Sequence, residues 1–363
     1  MSDKIKALIV DDTITYRKII RVVLESISNV EILGTAPNGS IALRKIKNAK
    51  PDLVLLDVEM PGINGLETLK KIKAEYPLIS VIMVSAASEK SADITIKCLE
   101  AGAMDFIEKP SGLGMEKSIE ELTGKLRPLL RFFNTRHRIS NLKHKKKNKK
   151  QSREKPKPKV VKKIAAPTDF DILAIGVSTG GPEALSKLIP HIEGNFPIPI
   201  VIVQHMPPVF TASLARNLDK KSIIDVKEAS DGEILKPSIA YIAPGGRHMI
   251  IRKQGANTIV GLLDTPPVNS CKPSVDVLFR SVGGVFPAKT LSVILTGMGN
   301  DGLEGVKMLK RKGTFTITQN KESCVVYGMP RAIEMAGLSD ISIPVEDIAM
   351  RIMEKVNKNK KVA

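Results

Sequence analysis

The chain has 363 residues, 42% of them hydrophobic and 26% charged, with a formal net charge of +18. That length exceeds one ordinary core and suits two domains with a connector, and the composition is that of a soluble globular protein. No apolar run approaches the roughly 18–20 residues that span a bilayer. The amino terminus leads into a strand without a signal-peptide layout, and three scattered cysteines (Cys98, Cys271, Cys324) favour neither a disulfide framework nor a zinc cluster, so a cytoplasmic setting is expected. In chain order, strand-like runs at Ala7–Val10, Leu53–Leu56 and Val81–Val84 alternate with helical patterns at Tyr16–Ser26 and Gly39–Lys47, and a further strand is expected at Asp105–Ile107. Alternation of this kind predicts a parallel sheet covered on both faces, with its working site at the carboxyl ends of the strands.

The polar residues fall there. Asp11 and Asp12 end the first strand, Asp57 the third and Ser85 the fourth, while Lys109 follows the fifth. Crowded carboxylates raise one another's pKa unless a cation joins them. An all-oxygen set suits Mg²⁺, beside which a carboxylate can accept a phosphoryl group. Lys109 adds positive charge and Ser85 a hydrogen bond for a phosphoryl oxygen. A lone Asp-Asp pair would more simply end a strand; five such positions together point to phosphoryl chemistry.

The charge is concentrated in one stretch. Between Arg136 and Lys163 lie 14 Lys and Arg against one Glu, about +13 of the +18. The stretch contains Pro156 and Pro158 and few large apolar residues, so it is expected to stay disordered. The boundaries expected are residues 3–125 for the first domain, 126–166 for a basic linker and 167–356 for the second domain. No specific nucleic-acid partner is expected; the linker's alternative to spacing is weak electrostatic contact with a membrane or an acidic receptor surface.

Past the linker, β-like runs at Ile172–Ile175, Ile198–Val203, Ile239–Ala243, Thr258–Leu263, Ser292–Leu295 and Thr314–Thr318 alternate with helices. They predict a second doubly wound parallel sheet, with a hairpin inserted between Ala240 and Leu263. The first run stops at Ser178, followed by Thr179-Gly180-Gly181-Pro182, a turn that holds a serine out of the sheet. His205 and Asp301 follow later β-like runs. Together they suit nucleophile, base and orienting acid, and backbone N–H groups of Gly297–Gly302, Met298 foremost, suit an oxyanion. The order serine, histidine, aspartate differs from that of α/β-hydrolases, so either the triad is assembled differently or there is none. His248 is the competing histidine. Ser178 is equally readable as a helix cap, and Gly-rich turns also bind phosphates.

The motifs carry a resemblance. Asp11-Asp12, Asp57-Val-Glu-Met-Pro61-Gly62, Ser85-Ala86 and Phe106-Ile-Glu-Lys109-Pro110 resemble the receiver domain of response regulators. Gly176-Val-Ser-Thr-Gly-Gly-Pro-Glu183, Gln204-His-Met-Pro207, Pro273-Ser-Val-Asp-Val-Leu-Phe-Arg280 and Leu295-Thr-Gly-Met-Gly-Asn-Asp301-Gly302 resemble the chemotaxis-type protein-glutamate methylesterases, the CheB family. The resemblance implies two doubly wound α/β domains, a flavodoxin-like receiver and a Rossmann-like methylesterase. It implies phosphorylation of Asp57 by a chemotaxis histidine kinase, Mg²⁺ at Asp11, Asp12 and Asp57, and a switch through Ser85, Phe106 and Lys109, with a cis Lys109–Pro110 bond permitted. It further implies a Ser178–His205–Asp301 triad with Thr179 beside the nucleophile and Met298 at the oxyanion, and no cofactor for hydrolysis. The implied substrates are glutamyl methyl esters, and glutamines, of methyl-accepting chemotaxis receptors. The unphosphorylated receiver would obstruct the catalytic site. The rival readings are a phosphorylation-dependent binding or DNA-binding regulator, and a hydrolase of small esters or amides.

Overall fold

The computed structural model describes residues 4–112, 114–146 and 169–357. Two bodies follow along the chain, each built on its own parallel sheet. The first contains β1 (Ile5–Val10), α1 (Ile14–Glu25), β2 (Val30–Ala36), α2 (Gly39–Ala49), β3 (Leu53–Asp57), α3 (Gly65–Glu75), β4 (Ser80–Ser85), α4 (Glu89–Glu100), β5 (Asp105–Glu108) and α5 (Met115–Lys146). Its strand order is β2-β1-β3-β4-β5, all parallel, the flavodoxin-like winding. The β3 strand is buried along its whole length, as a central strand covered on both faces requires. Asn38 and Asn64 cap α2 and α3 by accepting from Ile41 N and Glu67 N, each at 2.9 Å.

The helix α5 passes the expected domain boundary at residue 125. Leu122, Leu126, Leu129, Leu130 and Phe133 repeat at helical spacing and are buried, and α5 packs on α1. The apolar stripe therefore continues into what the composition marks as linker, and the charge run that begins at Arg136 masks it. Residues 147–166 of the expected linker, and the side chains of Phe132 and of residues 134–146, lie outside the described residues. The one cis peptide bond among the described residues is Lys272–Pro273; Lys109–Pro110, for which a cis bond was permitted, is trans.

The second body contains β6 (Ile172–Val177), α6 (Gly181–Leu188), β7 (Ile200–Gln204), α7 (Phe210–Asp219), β8 (Asp225–Glu228), β9 (Ile239–Ile242), β10 (His248–Gln254), β11 (Asn257–Leu263), α8 (Val275–Val285), β12 (Thr290–Ile294), α9 (Leu303–Arg311), β13 (Phe315–Gln319), α10 (Met329–Met335), β14 (Ile341–Ile343) and α11 (Val345–Asn357). Seven strands form one parallel sheet in the order β14-β13-β12-β6-β7-β9-β8. The winding reverses between β6 and β12, the kind of switch point where doubly wound sheets open a crevice. The β10 and β11 strands stand apart as an antiparallel hairpin pairing His248 with Leu263 and Gln254 with Asn257. The core beneath gathers Tyr241, Val275, Phe279, Ile294 and Leu309. No described helix is long and apolar enough to cross a membrane.

Candidate active site and candidate phosphoryl site

The register of three adjacent strands brings the serine, histidine and aspartate to one edge. Val177 pairs with Gln204, and His205 N donates to Val177 O at 3.2 Å, so Ser178 and His205 leave neighbouring strand ends about 4.8 Å apart. Gln204 ties the two loops by donating from Nε2 to the Ser178 carbonyl at 3.0 Å. On the other side Ile294 pairs with Gly176, and the loop after β12 returns Asp301 to the same edge. That loop lies against the nucleophile turn: a side chain on Gly297 would meet Ser178 Cβ at 2.8 Å. Gly180 adopts φ +77°, which glycine accepts without cost, and the helix α6 starts at once behind it.

Asp301 is buried and saturated with donors. Its Oδ2 accepts from His205 Nε2 at 2.9 Å and from Val275 N at 2.7 Å. Its Oδ1 accepts from Asn269 Nδ2 at 2.8 Å, Ser274 Oγ at 2.9 Å and Asp276 N at 3.2 Å. Two of these donors are backbone groups at the start of α8, where the helix dipole also favours an anion. Burial would raise the carboxyl; the His205 hydrogen bond and charge, with Asn269 and Val275, overcome it and hold the pKa at about 2. An ionised Asp301 fixes His205 Nε2 as the donor and leaves Nδ1 for other partners. That second nitrogen faces Cys271 Sγ at 3.5 Å. Burial lowers the imidazole, but the Asp301 and Cys271 interactions prevail and lift it to about 9.

Ser178 Oγ makes no hydrogen bond among the described residues, and it is related to His205 by the adjacent strand ends they leave. Thr179 is buried, with its carbonyl accepting from Thr296 Oγ1 at 2.9 Å. Met298 is half-buried, and its N–H makes no hydrogen bond among the described residues. His248, the competitor for the base, is fully buried; its Nδ1 accepts from Ser274 N at 3.1 Å and its Nε2 lies 3.1 Å from Pro266 O. It braces the loop that supplies Ser274 and contacts neither Ser178 nor His205 among these bonds.

Sequence reasoning missed Asn269, Cys271, Ser274 and Asp276. Asn269 and Ser270 have φ of +53° and +62°, and Val268 and Cys271 exchange two backbone hydrogen bonds of 3.1 and 2.9 Å around them. An Asn-led tight turn was therefore available as a signal. Asp276 accepts from Asn269 Nδ2 at 2.9 Å and Gly305 N at 2.6 Å, joining α8 to the start of α9.

In the first body, Asp11 and Asp57 are buried, while Asp12 is exposed. One carboxylate oxygen from each of the three lies within 4.8 Å of the others. Lys109 Nζ bridges Asp11 Oδ2 and Asp57 Oδ2, both at 2.8 Å, and sits 4.6 Å from the Tyr16 ring centroid. Burial raises Asp57 most, Lys109 pulls it down and Asp11 pushes it up again; the balance is about 6. The same carboxylates outweigh burial at Lys109 and raise its pKa. Thr13 N donates to Asp11 Oδ1 at 2.8 Å, and Arg17 Nη1 holds the carbonyls of Asp11 and Asp12 at 2.6 and 2.9 Å. Ser85 is buried at the end of β4 and Phe106 is half-buried in β5.

The first body thus has the winding and the acid-and-lysine edge of a receiver, and the second is a parallel α/β body with a Ser, His, Asp edge. Residues 7–118 match the response regulator receiver domain and residues 173–352 the CheB methylesterase family. The chain is 44% identical, over 97% of its length and 98% of the relative's, to the protein-glutamate methylesterase/protein-glutamine glutaminase of Desulfotalea psychrophila. It is 43% identical to the protein of that name from Bacillus subtilis, over 98% and 99% of the two chains. The Thermotoga maritima CheB methylesterase catalytic domain superposes with a TM-score of 0.51 at 43% identity, covering 52% of this chain and all of that one. The chain belongs to the CheB family of protein-glutamate methylesterases/protein-glutamine glutaminases, with a receiver domain ahead of its methylesterase domain.

Proposed function

We propose that this chain hydrolyses glutamyl methyl esters of methyl-accepting chemotaxis receptors, releasing methanol, and glutamine side-chain amides, releasing ammonia. The observation that carries the reading is the buried, donor-saturated Asp301 bound to His205, with Ser178 leaving the next strand end. Ser178 Oγ attacks the carbonyl carbon while its proton passes to His205 Nδ1, because Nε2 is committed to Asp301. Asp301 stabilises the imidazolium so formed. The Met298 N–H donates to the developing oxyanion. The proton then goes to the departing methoxide, and water, deprotonated by the same nitrogen, cleaves the acyl-serine to leave glutamate and restore Ser178. Thr179 shapes the turn beside the nucleophile.

Asp57 is the residue we assign to phosphorylation, with a chemotaxis histidine kinase as donor. Asp11, Asp12 and Asp57 are an all-oxygen, partly buried set that fits Mg²⁺, which would neutralise the charge gathering on the transferred phosphoryl group. Lys109, already bridging two of the carboxylates, contacts the phosphoryl oxygens, and Ser85 and Phe106 respond to it. Phosphorylation raises the hydrolytic rate, and both reactions take place in the cytoplasm. Methanol release from a methylated receptor tests the catalytic assignment: Ser178→Ala lowers it by at least about 10³-fold, and retention of activity in that variant excludes the serine mechanism.

A further inference from the structure

The nitrogen that this reading gives to the serine proton also faces a thiol. Cys271 Sγ lies 3.5 Å from His205 Nδ1 and 3.4 Å from the Asn269 carbonyl. The two residues are 66 positions apart, so no metal-binding spacing announces them. Thiolate and imidazole are the preferred ligands of zinc, with Zn–S about 2.3 Å and Zn–N about 2.0–2.1 Å. Ligand atoms 3.5 Å apart then subtend about 107° at the ion, close to the tetrahedral angle of ~109°. A ligating histidine characteristically donates its other ring nitrogen to a carboxylate, which fixes its tautomer and orientation. Asp301 Oδ2 accepts from Nε2 at 2.9 Å and does so here. One ligand atom from each of His205, Cys271 and Asp301 lies within 4.8 Å of the others.

The ligands are also held in place beforehand. Cys271 closes the tight turn from Val268 through its backbone, and Asn269 of that turn is bound to Asp301 and Asp276. Of the three cysteines, Cys98 and Cys324 are buried and Cys271 is half-buried.

We propose that His205 Nδ1 and Cys271 Sγ form a site for a thiophilic divalent cation of the zinc class, and that occupancy switches the hydrolase off. The cation displaces the thiol proton and any proton on Nδ1 to solvent, and water completes its coordination. With a metal on Nδ1, no lone pair remains to take the proton of Ser178. The inhibitory half of the proposal rests on the Ser178–His205 reading; the metal site does not.

The test uses the full chain in excess Mg²⁺, which saturates the receiver carboxylates. Cobalt(II) is expected to give a sulfur-to-cobalt charge-transfer band that Cys271→Ser abolishes and Asp301→Asn weakens in affinity by about 10–100-fold. Zinc is expected to protect Cys271 from iodoacetamide in the unmutated chain and to stop methanol release, with Cys271→Ser losing that sensitivity relative to its own metal-free rate. A cobalt complex without the band, a band that survives Cys271→Ser, or alkylation of Cys271 unchanged by zinc overturns the site. Full methanol release from zinc-loaded chain overturns the switch. Absence of methanol release from the metal-free chain, when the same chain loaded with cobalt shows the band, contradicts the esterase reading and leaves the metal site standing.

Discussion

Asp301 and His205 set opposite limits on the pH range of the chemistry. With its pKa lowered to about 2, Asp301 is ionised above that pH and contributes no step to a profile at higher values. His205, raised to about 9, is mainly protonated at neutral pH, and only its neutral form accepts the serine proton. Methanol release per enzyme is therefore expected to climb with pH through about 9. A rate already level by neutrality would show that the imidazole is not raised or is not the base. Because its folded pKa is raised, the His205–Asp301 pair stabilises the fold fully below the unfolded value of about 6.5 and loses that contribution as pH rises through about 9. Thermal melts of the catalytic domain are expected to soften over that interval, and less so in Asp301→Asn, in which the charge partner is absent.

At the scale of elements, the helix α8 and the helix α5 illustrate two kinds of information in a sequence. The strands leading to Ser178 and Asp301 were legible because Ile172–Ile175 and Ser292–Leu295 are apolar runs that stop at polar, Gly-rich loops, and strand ends are where such folds place chemistry. The anchoring of Asp301 was not legible. It depends on Val275 N, Asp276 N and Ser274 Oγ arriving from a helix start that is 25–27 residues away in sequence, and periodicity says nothing about which loop meets which helix end. In the receiver, the carboxylates and Lys109 stood at strand ends in the sequence as in the structure, but the bridging of Asp11 and Asp57 by one ammonium needed coordinates. The α5 boundary failed for a different reason: composition changes at Arg136, whereas the apolar stripe that packs on α1 runs to Phe133. Leu130 is 1% exposed, so Leu130→Ala should destabilise the receiver by about 2–5 kcal/mol in denaturant titrations. A loss well under 1 kcal/mol would return residues beyond 125 to the linker. Ser274→Ala removes one of five donors to Asp301 and should lower the catalytic rate several-fold, far less than the loss in Ser178→Ala. An equal loss would mean that Ser274 itself takes part in the chemistry.

Across the whole molecule, two sites of opposite character lie on one chain: an edge of three carboxylates and a lysine before residue 113, and an edge of serine, histidine and aspartate after residue 169. The rivals weighed from sequence alone, a DNA-binding regulator or a small-ester hydrolase, lose ground to a near full-length likeness to protein-glutamate methylesterases/protein-glutamine glutaminases. What the two sites have to do with each other is the central claim. The direct measurement is methanol release from a methylated receptor, with and without acetyl phosphate and Mg²⁺, for the unmutated chain and for Asp57→Ala. The account predicts a rate increase in the former and none in the latter, whose basal rate persists. Equal stimulation of both proteins, or stimulation of neither, would contradict it.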